Sequence, residues 1–195
     1  MLREASNSCA LGMALRVRHS KTTVMLRVCQ QFLWHDIEVT AALTLTSGHE
    51  AAHEAAQIWA LAKARRDEDT APASAEEVLP GVQRRLRVPG AELIVASQGG
   101  QAVGFTLFAP RAECLEIFYL AVAPDAWGRG VAAVLLASVE EFAHGISRPS
   151  VDLWVISDND RAISVYQRTG FIDSGELHRD AASGRSERRM VKVLG

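Results

Sequence analysis

The sequence contains no run of about eighteen uninterrupted apolar residues, so no membrane-spanning helix is expected. Cysteine is scarce. Cys9, Cys29 and Cys114 are odd in number, far apart and in no C-x-x-C pair, which argues against a disulfide framework or a thiolate zinc knuckle and for a reducing, cytoplasmic setting. A strong charge of one sign is also missing, since the formal net charge is only −2. No internal repeat is present.

What is present is the make-up of a soluble globular chain: 195 residues, 48% hydrophobic and 23% charged, enough for one domain with a substantial core. The charge is uneven. Residues 1–34 hold five basic residues (Arg3, Arg16, Arg18, Lys21, Arg27) against Glu4, so residues 35–195 carry −6. An acidic body disfavours a nucleic-acid partner, whose phosphates reward clustered Lys and Arg. The basic stretch lacks a long apolar core and a clear cleavage site, which disfavours a secretory signal. It reads as a dispensable extension, with a targeting leader, a basic tail and an over-extended start (Met13 and Met25 being alternatives) all compatible with it.

From Asp36 the patterning is regular. A β-branched run, Ile37 to Thr46, predicts a strand. Ser47 with Glu50 forms a capping-box signature for a helix through Lys63. A polar linker leads to a second helix, Ala75 to Leu86, which Pro80-Gly81 is expected to kink or split. Strands are predicted over Ala91 to Ser97 and Ala102 to Ala109, joined by a Gly99-Gly100 hairpin, and over Glu113 to Val122. A helix then runs from Val131 to Gly145, followed by a strand (Val151 to Ile156), a short helix (Asp160 to Thr169) and two strands (Phe171 to Glu176, Arg188 to Leu194). Seven strands with two early and two late helices predict an α+β fold around a mixed, mainly antiparallel sheet.

Two segments carry chemistry. The first is Leu120-Ala121-Val122-Ala123-Pro124 followed by Trp127-Gly128-Arg129-Gly130-Val131-Ala132-Ala133. Glycines entering a helix let the backbone approach a ligand and leave N–H groups free, an anion site suited to a pyrophosphate; a tight turn that simply needs glycine gives the same pattern. The second is Leu153-Trp154-Val155, then Asn159-Asp160-Arg161-Ala162, then Tyr166 and Gly170-Phe171. Together, and at this separation, they resemble the GNAT superfamily of acyl-CoA-dependent N-acyltransferases over about residues 36 to 195. Trp127 departs from that family's pattern, which prefers Gln or Arg there.

The resemblance implies a GNAT-like sheet flanked by helices, its strands splayed at the cofactor site, in a transferase domain spanning 35–195. Acetyl-CoA would be the acyl donor, with no metal. Leu120, Ala121 and Val122 would offer backbone groups to the pantetheine amides, with the N–H of Leu120 as oxyanion donor. Gly128, Arg129, Gly130, Val131, Ala132 and Ala133 would cradle the pyrophosphate. Asn159 would bind near the pantetheine, though a plain helix cap reads identically. Tyr166 matches the family's acid for the departing thiolate, with a packed aromatic as the alternative. Glu116, a carboxylate in an otherwise apolar strand, resembles a position of the amine base; the outer face of the strand is the other reading. The acceptor would be a small-molecule or peptide amine, met by the first two helices and a polar loop, Glu176 to Arg189, with His178, Arg179, Asp180 and Arg185. Such a protein would be a monomer or homodimer.

Two rival readings come from other classes. His49-Glu50-Ala51-Ala52-His53 satisfies H-E-x-x-H, which places two imidazoles on one helix face for a zinc hydrolase. It lacks the extended continuation, and His49 lies in the first turn, where the helix dipole disfavours a cation. A non-catalytic acyl-CoA-binding or sensing module would keep the same cradle and use Tyr166 and Glu116 structurally.

Overall fold

The computed structural model describes residues 24–25, 42–71, 73–181 and 183–195. One mixed sheet organises them, in the order β1-β2-β3-β4-β5-β6-β8-β7. β1 (Val24–Met25) pairs antiparallel with β2 (Leu43–Ser47), which pairs with β3 (Glu92–Gln98). β3 and β4 (Gln101–Pro110) form the expected hairpin, with Gly99 and Gly100 at φ 58° and 81°, the left-handed pair that a two-residue turn requires. β5 (Leu115–Val122) continues antiparallel to β4. The parallel pair is β5 with β6 (Ser150–Ile156), followed by β8 (Ser186–Val193) and the edge strand β7 (Ile172–Arg179). The fold is α+β and mainly antiparallel, as the order of elements predicted.

Helices cover both faces. On one lie α1 (Ala52–Asp67) and α2 (Ala75–Leu86), with Ala55, Ala56, Ile58 and Val82 packed on Leu93, Phe105, Leu107 and Ala109. On the other lie α3 (Val131–Gly145) and α4 (Asp160–Arg168), whose Leu136, Val139 and Tyr166 meet Phe108, Ile117, Leu153 and Met190. Each fully buried leucine in such a core is worth about 1.5–3 kcal/mol. α3 comes unusually close to β4: a Cβ at Gly104 would stand 2.8 Å from Val131 Cγ1 and 3.1 Å from the Ala121 carbonyl.

Three local expectations are corrected. Ser47 and Glu50 form no capping box, because Ser47 is held in β2 opposite Ile94, and a 3₁₀ turn (His49–Ala51) precedes α1. The capping box sits at α2 instead: the Glu77 N–H donates to Ser74 Oγ at 3.3 Å, and the Ser74 N–H to Glu77 Oε2 at 2.7 Å. Pro80 does not split α2, which runs unbroken. Its position, six residues in, removes one helical N–H, while the box and buried Val82 hold both sides. The expected polar loop from Glu176 to Arg189 is largely the β7–β8 hairpin, since alternating His178–Glu187 and Leu177–Arg188 pairs continue both strands. The strand predicted from Ile37 is described only from Leu43; residues 37–41 lie outside the described residues.

Candidate active site

β5 and β6 pair only between Leu115–Ile117 and Val151–Leu153. Beyond Phe118 and Trp154 they part, and a cleft of about 950 Å³ opens in the fork. Its lining brings together Leu120, Ala121 and Val122 of β5, Gly128 and Gly130, Val131 to Ala133 of α3, Asn159, and Tyr166 of α4. Those are the sequence-predicted donor residues, with one exception. Arg129 is exposed and does not line the cleft.

The direction of the β5 backbone follows from its ladder. The Ala123 N–H donates to the Val103 carbonyl at 2.8 Å, so by antiparallel alternation the N–H and C=O groups of Leu120 and Val122 point away from β4, into the fork. Val122 confirms the direction, because its carbonyl accepts from Trp127 Nε1 at 2.7 Å. Trp127 therefore closes one end of this exposed edge, and Arg161 stacks on its ring at 4.5 Å.

The N-terminus of α3 presents bare backbone to the cleft. Gly128 and Gly130 have φ of 78° and 80°, and a Cβ at either would meet nothing within 4 Å, so the backbone is bare toward the cleft. No side chain caps α3 and no acid lies in its first turn, in contrast to α2, which has its box, and α4, where Asn159 Oδ1 accepts from the Ala162 N–H at 3.3 Å. The first N–H groups of a 15-residue helix thus face the cleft unpaired, with the positive end of its dipole. Six basic residues among the lining (Lys63, Arg65, Arg66, Arg161, Arg168, Arg185) outnumber three acids (Glu68, Asp158, Asp160). This donor set fits a polyphosphate attached to an extended amide-bearing chain, as acyl-CoA is.

Tyr166 is 7% exposed, and burial pushes its phenol up to about 12, so it stays protonated at neutral pH. A neutral phenol on a cleft wall can donate a proton to a departing anion. Burial together with the Asp152 carboxylate likewise pushes Cys114 up to about 12; it donates to Asp152 Oδ1 at 3.3 Å and is held as a thiol rather than a nucleophilic thiolate.

Glu116 lies outside the cleft lining, on the α1–α2 side of β5, with its carboxylate bonded to Arg111 Nε. The histidines of the H-E-x-x-H segment diverge: His49 Nε2 contacts the Ala91 carbonyl at 3.1 Å, and His53 Nε2 lies 3.5 Å from Glu76. Among the described residues no group of three or more His, Cys, Asp or Glu is arranged to hold a metal ion. Nor does any described helix have the length and apolarity to cross a membrane.

Sequence reasoning named Arg185 and the segment Glu176 to Arg189 on the polar side of the fork, but not Asp152 or the ion pairs that organise it. Asp152 and Arg189, 37 residues apart, form an ion pair in which two Arg189 nitrogens donate to Asp152 Oδ2, with Asp152 5% exposed and Arg189 half-buried. Arg185 reaches from the β7–β8 turn to Asp67 at 2.7 Å and Asp158 at 2.8 Å, tying α1 to the loop before α4 along the cleft. An acidic residue in a strand was the available signal, and Asp152 carries it as Glu116 does, whereas Glu187 stood in the expected loop.

Residues 49–171 match the acetyltransferase (GNAT) family. The acetyltransferase SG1711 of Sodalis glossinidius is 31% identical over 87 residues, which cover 45% of this chain and 61% of that relative. The ribosomal-protein-S18-alanine N-acetyltransferase of Escherichia coli shares the fold with a TM-score of 0.59 at 17% identity, covering 78% of this chain and 94% of that one. The PaiA N-acetyltransferase of Thermoplasma acidophilum, solved with coenzyme A, superposes with a TM-score of 0.58 at 15% identity, over 77% and 99%.

Proposed function

The chain belongs to the GNAT acetyltransferase family, and on that premise we propose that it moves an acetyl group from acetyl-CoA to a primary amine by direct attack. The observation that carries this is the fork itself: backbone groups of Leu120 and the Val122 N–H turned away from β4 along one wall, the bare α3 N-terminus at one end and the Tyr166 phenol on the other wall. That a structural neighbour was solved with coenzyme A supports the same donor here.

Each group then has a task. The β5 edge holds the pantetheine amides as an added strand would be held. Gly128, Gly130 and the N–H groups of Val131 to Ala133 take the pyrophosphate, and Arg161 on Trp127 adds positive charge beside it. The Leu120 N–H stabilises the oxyanion that forms as the amine attacks the thioester carbonyl. Tyr166 supplies the proton to the departing sulfur. Direct attack asks for no enzyme nucleophile, and Cys114, the cysteine among the described residues, lies outside the cleft lining and is held as a thiol. Asn159 fixes the start of α4 and so the height of Tyr166 in the wall. The transferase domain is 35–195, and residues 1–34 act as an extension not needed for donor binding; of them, Val24–Met25 is described, paired with β2. The chain is proposed to act without a metal, in the cytoplasm.

The test is donor binding. A ligand that binds only the folded state, at about a hundred times its dissociation constant, adds roughly 2.7 kcal/mol, so acetyl-CoA should raise the melting temperature. No shift at millimolar acetyl-CoA would sink the reading. A shift without CoA release on any amine would instead favour the binding module.

A further inference from the structure

α1 and α2 cover β3, β4 and β5 but leave the rest of that sheet face open. Along β6, Val151, Leu153 and Val155 enter the core beside α3, so Asp152, Trp154 and Ile156 point to the opposite, open face. Trp154 is the first β6 residue beyond the last β5–β6 pair, at the head of the fork where the acyl end of the donor would lie. His178 of β7 meets the Trp154 ring edge-on, with centroids 4.1 Å apart. Between them, opposite Ile156 on β6 and His178 on β7, stands Glu187 of β8, its Oε2 3.4 Å from His178 Nε2. Glu187, like Glu116, does not itself line the cleft, but its neighbours reach it: Arg185 lines it, and the Ser186 carbonyl accepts from the Ser157 N–H at 2.9 Å, just before Asp158 and Asn159, which also line it.

Resting on the acetyltransferase reading, we propose that Glu187 is the catalytic base for the acceptor amine, that His178 positions it and passes its proton to solvent, and that Arg85 selects acceptors carrying an anionic group. The simplest such acceptor is an amino acid.

Glu187 suits the task better than the other carboxylates of this face. Asp152 and Glu176 are bonded to Arg189 and Glu116 to Arg111, whereas Glu187 has only an imidazole as direct partner. Its side chain is 21% exposed, and burial raises its affinity for a proton. The charges that reach it are His178 and Asp180 on the hairpin, Arg66 of α1 and Arg85 of α2. Arg66 is already neutralised by Asp67. Arg85 stacks over Phe118 of β5 at 4.7 Å, and its buried Nε has no hydrogen-bond partner. Arg111, which shares that ring, is matched by Glu116. A carboxylate base and an unmatched guanidinium on one open face, at the fork, are complementary to an ammonium and an anion on one small molecule.

The step balances. Glu187 takes one proton from the ammonium, and the freed lone pair forms the new C–N bond at the thioester carbonyl. As the C–S bond breaks, sulfur keeps its electron pair and accepts the Tyr166 proton. The proton still in excess on nitrogen restores the phenol. Amide and free thiol are produced, and one proton leaves through Glu187 and His178.

The experiment measures CoA release by the full-length protein with free amino acids, their C-terminal amides and aliphatic diamines, from pH 6 to 10, with acetyl-CoA-induced melting shifts recorded in parallel. Free amino acids are expected to be turned over, with kcat/KM at least tenfold above their amides, and Arg85→Gln should erase that ratio. Glu187→Gln should lower kcat by about 10² to 10⁴ at neutral pH and less at high pH, where the amine is already neutral. Glu187→Asp should restore part of the loss, and His178→Gln should move the acidic limb of the profile with little change in KM. Diamines turned over as well as amino acids, or Glu187→Gln at the wild-type rate, would overturn the proposal. So would an intact melting shift with no turnover of any amino acid, which leaves donor binding standing. A missing shift in the wild type overturns the transferase reading itself.

Discussion

Asp152 and Arg189 join β6 to β8 through an ion pair, with Arg189 Nε and Nη2 donating to Asp152 Oδ2 at 2.8 and 2.5 Å. Asp152 is buried and also accepts from the Cys114 thiol, so its charge is matched inside the structure rather than by water. Breaking one side of such a pair costs about 3–5 kcal/mol, because the other charge is left uncompensated. Arg189 is 30% exposed, which moves the expectation toward the lower figure. Arg189→Met, which leaves the buried Asp152 carboxylate unmatched, should therefore lower the denaturation midpoint markedly, and Asp152→Ala, which leaves a part-exposed Arg189 still bonded to Glu176, somewhat less; equilibrium unfolding in urea measures both.

Arg185 and Asp67 lie 118 residues apart in sequence and 2.7 Å apart in space. Arg66 and Arg185 together hold the Asp67 carboxyl down at about 2, against an ordinary value of 3.8. A carboxyl depressed on folding adds stability above its unfolded value and loses it as pH falls through its folded value, so the contribution should fade between about pH 4 and pH 2. Arg185→Gln should raise the Asp67 titration midpoint, seen by carboxyl NMR, and flatten the stability profile in that window. An unchanged midpoint would show that Arg66 alone sets it.

The Gly128–Gly130 turn gives a sharper prediction. Gly130 is left-handed at φ 80°, a conformation that costs an L-residue roughly 1–2 kcal/mol, and its bare side opens on the cleft. Gly130→Val should keep the fold at a modest cost and abolish the acetyl-CoA melting shift. Gly104→Ala acts from behind, pressing on Val131 and the Ala121 carbonyl. Overpacking of this kind costs about 1–3 kcal/mol, and here it should also weaken donor binding by displacing the α3 terminus.

What the sequence made legible is what is local. The cradle, the α4 cap and Tyr166 lie within short segments whose spacing dictates turn, helix start and helix face, and the structure lines one cleft with them. The helix starts were harder to place, because a Ser-x-x-Glu pattern stands before both early helices and strand pairing holds Ser47 while leaving Ser74 free to cap. The far side of the fork was legible only as a polar segment holding His178 and Arg185, not as an arrangement. Trp154, His178 and Glu187 come together only because β8 inserts between β6 and β7, and no spacing in the chain encodes that register. Glu116 stood out as an acid among apolar neighbours, yet its pairing with Arg111, local in sequence, depends on the β4–β5 turn that brings the two together.

The two catalytic assignments separate cleanly by substitution. Tyr166→Phe keeps the buried ring and its contact with Phe171 at 5.8 Å, so stability and donor affinity should hold while turnover falls about tenfold or more if the chemical step limits. Glu116→Gln frees Arg111 and should leave neutral-pH turnover within a few-fold of wild type, in contrast to Glu187→Gln. The reverse order of the two glutamate variants would return the base to Glu116.

The central claim is acetyl transfer from a donor held in the fork, and the most direct measurement is mass spectrometry of an amine panel incubated with acetyl-CoA and the protein, alongside free-thiol release. An acetylated amine should form in step with the thiol, one for one, and be lost in Gly130→Val. Thiol release without any acetylated amine, or no release from a protein that acetyl-CoA stabilises, would contradict it.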